Sequence, residues 1–154
     1  MEKNLHDIVD IEKYPINNLN SPKIKDLIKK CKKDLDQYSC STIPNFILSK
    51  SLKIMNEELE KQLDEVYMSK ESINAYLYSK DDPSLQKDHP KRMFMNRYNG
   101  YLNSDCFPKD SEMKFLYETE ELLKFVSECL GISPIYRWAD PLACHAYNLS
   151  LIHI

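Results

Sequence analysis

Glycine is almost missing from this chain: Gly100 and Gly131 are the only two in 154 residues. A phosphate-cradling loop needs several glycines so that the backbone can approach the anion closely, so a P-loop or a dinucleotide fingerprint is excluded. No Gly-x-Ser-x-Gly elbow occurs, which leaves a serine hydrolase without support. Long apolar runs are missing too. None approaches the ~20 residues that a membrane helix needs. The start, Met1-Glu-Lys-Asn-Leu-His-Asp7, has no apolar core behind a basic segment. Neither a membrane partner nor a signal peptide is expected.

Paired cysteines are also lacking. The five, Cys31, Cys40, Cys106, Cys129 and Cys144, are odd in number and contain no Cys-x-x-Cys. That pattern favours neither a disulfide framework nor a thiolate zinc site. A reducing, cytoplasmic setting is expected. Nor is there an excess of positive charge: 21 Lys and Arg stand against 24 Asp and Glu, a net charge of -3. General affinity for nucleic acid or an anionic membrane would call for a clustered basic surplus. What is present, 42% hydrophobic and 29% charged residues, is the balance of a globular domain.

Residues 1–20 are polar and broken by Pro15 and Asn17-Asn-Leu-Asn20, and read as a loose arm. Ser21-Pro22 then offers an N-cap and a first-turn proline. Ile24, Leu27, Ile28, Cys31 and Leu35 follow at helical spacing, predicting an amphipathic helix over 22–36. Its lysine-rich opposite face is a solvated face by preference, because Asp26, Asp34 and Asp36 are mixed in and no aromatics interleave. Tyr38–Ile43 reads as a short strand, and Ser49 as the cap of a helix over about 50–66. Leu52, Met55, Leu59, Leu63 and Val66 are its expected buried positions. Ile73–Tyr78 and Met93–Tyr98 are strand candidates, with Asn99-Gly100 as a turn. A turn or short helix is expected over 111–117. Thr119 then caps a helix buried through Leu122, Leu123, Val126 and Leu130, and Gly131 ends it. Tyr136–Asn148 reads as a strand entering a site.

The histidines are the first chemical candidates. His89, beside Lys91 and Arg92, can meet an anionic group or simply be a loop histidine held by its neighbours. His145 alternates with Tyr147 on the expected strand; a cavity-facing donor and a satisfied half-buried histidine both remain open. No His-x-Asp or His-x-x-x-His ligand spacing occurs.

Five stretches taken together resemble a known family. They are Ser41-Thr-Ile-Pro-Asn-Phe-Ile-Leu-Ser49, Asp88-His-Pro-Lys-Arg92, Thr119-Glu-Glu-Leu-Leu-Lys-Phe-Val126, Leu130-Gly131 and Tyr136-Arg-Trp-Ala-Asp-Pro-Leu-Ala143. They resemble the N-terminal half of iron(II)/2-oxoglutarate-dependent oxygenases, in particular the hydroxylases and halogenases that act on free amino acids. The resemblance covers roughly 38–148, and Ala139-Asp-Pro-Leu-Ala143 is its most specific piece. It implies an α+β fold: N-terminal helices plus the first strands of an incomplete double-stranded β-helix, or jelly roll. It also implies Fe(II) and 2-oxoglutarate in the full-length parent and a small-molecule substrate. Hydroxylation is the expected reaction ahead of halogenation. The Trp-His-x-Asp segment, the later histidine and the 2-oxoglutarate arginine of that family have no counterparts in this sequence. The resemblance therefore transfers no catalytic residue and no metal ligand, and implies an inactive fragment without bound cofactor. One position carries over: Asn148 resembles the strand asparagine that hydrogen-bonds the cosubstrate, with a plain strand-end asparagine as the open alternative.

Leu149-Ser-Leu-Ile-His-Ile154 departs from the family where a Gly-Asp turn belongs. It resembles the in-frame translation of a transposon-end sequencing adapter, CTG TCT CTT ATA CAC ATC. His153 is accordingly not taken as an iron ligand. The expected organisation is an arm over 1–20, a partial oxygenase domain over 21–148 and an adapter-derived 149–154. A different class also stays open: a small non-enzymatic α+β interaction module.

Overall fold

The structure is a computed structural model that describes residues 3–140 and the backbone course of 147–150. Helix α1 (Leu5–Ile8) is a single turn. Helix α2 (Pro22–Tyr38) is the first long element. Ser21 Oγ accepts from the Ile24 amide at 3.3 Å, and Pro22 sits where a missing N–H costs nothing. Ile24, Ile28 and Cys31 form its buried stripe. The lysines opposite are exposed. The helix stops at Ser39, which takes a left-handed φ of 58°. This overturns the strand expected over Tyr38–Ile43. Tyr38 is the last helical residue, and the chain beyond Ser39 is irregular up to a turn at Asn45, also at φ 58°.

The arm over 1–20 is the larger correction. Ile8, Val9 and Ile16 are each 1% exposed or less, and Tyr14 is buried with them. Val9 makes a β-bridge to Ile47. The Leu48 amide donates to Ile8 O at 2.8 Å, and the Asp10 amide to Phe46 O at 3.0 Å. Tyr14 Oη donates to Pro44 O at 2.7 Å, and Ser51 Oγ to Asp7 O at 2.9 Å. Proline and asparagine here shape turns in a segment that is bolted down. Its apolar residues face the core without any regular period, so no pattern advertises them.

Helix α3 (Ser49–Glu60) begins one residue early; Leu48, not Ser49, holds the cap position. Met55 and Leu59 are buried as expected, but Leu52 and Leu63 are exposed. The helix ends at Glu60, and only a single 3₁₀ turn, Leu63–Glu65, continues towards residue 66. Helix α4 (Glu112–Glu118) is capped by Ser111, and helix α5 (Glu120–Leu130) ends at Gly131 with φ 67°. The buried residues of α5 are Phe125 and Cys129, whereas Val126 and Leu130 are exposed. The helix is turned because Phe125 stacks on Phe46 with centroids 6.2 Å apart. Cys129 reaches Cys31 of α2, and burial followed by that thiol pushes its pKa up to about 12. These helices and the N-terminal segment share one apolar cluster.

The sheet has three antiparallel strands, β1 (Tyr67–Asn74), β2 (Phe94–Leu102) and β3 (Tyr147–Ser150), in that order. The strand expected over Ile73–Tyr78 thus lies earlier. Asn74 closes it, with its Oδ1 accepting from the amides of Tyr76 (2.9 Å) and Tyr78 (3.1 Å). Asn99-Gly100 is no turn. Both lie within β2, paired to Ser69 and Met68 on one side and to Ser150 and Leu149 on the other. Pairing on both edges overrides a local turn preference. Residues 136–140, expected to open the last strand, are not in a strand. Arg137 instead ties them to the α4–α5 junction through Glu118 O (2.8 Å) and Glu120 Oε1 (2.6 Å). Residues 141–146, with His145, lie outside the described residues. Strand β3 runs from Asn148 into Leu149 and Ser150 of the adapter-like hexapeptide. The ladder uses backbone groups that both kinds of residue supply.

The fold is therefore α+β. No described helix is long and apolar enough to cross a membrane.

Candidate functional site

In an antiparallel ladder, residues directly opposite share a face. Strand β2 places Arg97, Asn99 and Tyr101 at alternating positions, and β1 places Glu71, Ser69 and Tyr67 opposite them. The result is a polar face in the middle of the sheet. Asn99 is only 4% exposed; Arg97 and Tyr101 are half-buried.

A closed hydrogen-bond network holds the three together. The Asn99 amide oxygen faces Arg97, accepting from Nη2 at 3.0 Å and from Nε, while its nitrogen donates to Tyr98 O at 3.0 Å. Arg97 Nη2 also donates to Tyr101 Oη at 3.2 Å. The Tyr101 hydroxyl lies 3.1 Å from the Asn99 oxygen and donates to it. Every partner of Arg97 in this network is neutral. Glu71 stands opposite in the ladder but makes no ion pair with it among the described residues.

Asn148, the one position carried over by resemblance, pairs with Tyr101 on β3, and Ser150 pairs with Asn99. The ladder thus brings Asn148 to a register position beside the Arg97–Asn99–Tyr101 row. His89 lies elsewhere. It caps the 3₁₀ turn Pro90–Arg92, with Nδ1 accepting from the Lys91 amide at 3.2 Å. That is the loop histidine held by its neighbours. Arg92 is engaged by Asp81 through Nε (2.8 Å) and Nη2 (2.7 Å), which holds the Asp81 carboxyl below its ordinary range. Lys91 lies 5.8 and 5.9 Å from the rings of Tyr76 and Tyr78. His145 and His153 fall outside the described residues.

Reading Asn99-Gly100 as a turn hid the Arg97–Asn99–Tyr101 row. The alternation at Met93–Tyr98, carried three residues further, contains it. Among the described residues no three His, Cys, Asp or Glu side chains converge as candidate metal ligands. Compared with known proteins, the chain matches no family model, no curated protein and no solved structure.

Proposed function

We propose that this chain is the N-terminal part of a non-haem Fe(II)/2-oxoglutarate-dependent oxygenase that hydroxylates a small molecule of the free-amino-acid class. The sheet β1–β2–β3 is then the beginning of a jelly roll, with the helices packed on its N-terminal side. The observation that carries this is the placement of Asn148. It sits in an antiparallel strand, directly opposite Tyr101 and two residues along the ladder from the Asn99–Ser150 pair. In the family that the chain resembles, a strand asparagine at the equivalent position hydrogen-bonds the cosubstrate. The motif series from Ser41 to Ala143 supports the same reading. The described residues do not supply the iron ligands, and no chemical step is assigned to them. In this proposal the ligands lie beyond Asn148 in the natural sequence, and the working compartment is the cytoplasm.

The test is the source locus itself. Independent DNA read past the Asn148 codon should give a Gly-Asp turn and then Trp-His-x-Asp or, in a halogenase, Trp-His-x-Gly or Trp-His-x-Ala. The protein encoded there should release succinate from 2-oxoglutarate only with Fe(II). A locus that continues as Leu-Ser-Leu-Ile-His-Ile, or that lacks the histidine, would overturn the proposal and leave the interaction module in its place.

A further inference from the structure

We infer that Arg97, set by Asn99 and Tyr101, binds the carboxylate of a small-molecule ligand. The chain has three arginines. Arg92 is bridged to Asp81 and Arg137 to Glu120. Arg97 is half-buried in the sheet with only neutral oxygens as hydrogen-bond partners, and Glu71, opposite it in the ladder, makes no ion pair with it among the described residues. Taking a charge partly out of water without a counter-charge is costly, so such a site favours an anion.

The geometry also selects the kind of anion. The guanidinium carries five donors in a rigid fork. The edge made by Nε and Nη2 is used on Asn99 and Tyr101, which fixes the plane. The edge bearing Nη1 bonds no oxygen among the described residues. The two hydrogens on Nη1 remain for an incoming carboxylate, which takes a charge-assisted hydrogen bond there. A phosphate dianion fits less well, because no second cation shares the face among the described residues. The nearest lysine on the strands, Lys70, lies on the opposite face, over the Tyr98 ring at 4.9 Å. Asn99 and Tyr101 are positioning residues: they hold the fork in place before a ligand arrives, so little side-chain entropy is lost on binding. The inference adds a ligand class to the sheet face of the proposed oxygenase, but it rests on the surroundings of Arg97 and not on the oxygenase assignment.

The 154-residue chain can be tested directly with phenylglyoxal, reading the modification rate of each arginine by mass spectrometry. Arg92 and Arg137 serve as internal references. Millimolar 2-oxoglutarate, succinate or a mixture of free amino acids is added in turn. At least one should slow modification of Arg97 about fivefold, the protection given by roughly four-fifths occupancy. The corresponding methyl esters should not protect. Protection by 2-oxoglutarate assigns the site to the cosubstrate, and protection by amino acids assigns it to the substrate; either supports the inference. No protection by any carboxylate, or equal protection by chloride or inorganic phosphate, overturns it. As a second measurement, the protecting ligand should raise the melting temperature of the parent chain but not of Arg97→Gln. Modification rates do not depend on which residues the natural sequence carries beyond Asn148, so this site and the oxygenase assignment stand or fall separately.

Discussion

Ile16→Ala measures how firmly residues 3–20 are held. Ile16 is 1% exposed and packs in the cluster of Ile8, Val9, Ile24 and Phe125. The substitution removes three carbons, at ~0.8 kcal/mol each for lost burial. The cavity left behind adds to that, because the surroundings, tied through Val9–Ile47 and Tyr14–Pro44, collapse only in part. The expected loss is about 3 kcal/mol, within the ~2–5 kcal/mol seen for such truncations. With a urea slope of roughly 2 kcal/mol/M, the unfolding midpoint should fall by about 1.5 M at unchanged slope. Circular dichroism and Trp138 fluorescence, tracked in parallel, also check that the transition is two-state. Ile132→Ala is the control. Ile132 is 57% exposed, and its midpoint should move by less than ~0.3 M. A shift that small for Ile16→Ala would mean the segment is a loose arm after all.

Gly131→Ala should cost about 1 kcal/mol in thermal unfolding, because Gly131 holds φ 67° while nothing lies within 4 Å of an added Cβ; a neutral effect would refute a purely conformational cost. Cys129 should stay unreactive to a disulfide reagent at pH 8 while exposed Cys40 reacts at once. Its folded pKa is raised from 9.0 to about 12, so its contribution to stability is complete below pH 9 and is lost as pH rises towards 12. Cys129→Ala should lack that alkaline component in urea titrations. Asp34, Asp81 and Glu120 are all shifted down from 3.8, 3.8 and 4.5 by their Lys30, Arg92 and Arg137 partners. What they contribute is present above those values and is lost as pH falls through the lowered ones; Asp81→Asn should flatten the acid limb of the midpoint–pH curve. Arg97→Leu should leave the urea midpoint equal or higher while abolishing ligand-induced stabilisation, the trade expected of a group kept for binding.

Helix α2 was legible because three local signals agree on it: the Ser21 cap, Pro22 and the spacing of Ile24, Ile28 and Cys31. The bounds of α5 were legible for the same reason, through Thr119 and Gly131. Its buried face was not, since apolar residues lie almost all round it and only the position of Phe46 decides for Phe125 over Val126. The segment 3–20 was illegible because its burial depends on partners more than 30 residues away, as in Val9–Ile47. The site shows the same divide. Asn148 entered only through the family resemblance, whereas Arg97, Asn99 and Tyr101 needed the register of β2, which a strong local Asn-Gly signal concealed.

Burial is distributed unevenly, and the unevenness bears on function. The helices and the N-terminal segment bury a continuous apolar cluster. Strands β1 and β2 bury only two apolar side chains, Ile73 and Leu102. Apolar cover this thin contributes little to the ladder's stability, and its backbone hydrogen bonds each add only ~1 kcal/mol net. Leu102 helps by packing with Leu59 and Phe107, but that anchors one end of β2 and not its middle. The middle is where Asn99 is buried and Arg97 is half-buried, both polar and costly to desolvate. Stability alone would favour aliphatic residues at these positions. A row that gives up apolar packing to hold a guanidinium in a fixed plane is what the proposed carboxylate site requires. The selective value of Arg97 then lies in its ligand, and that of Asn99 and Tyr101 in keeping the guanidinium oriented while the site is empty.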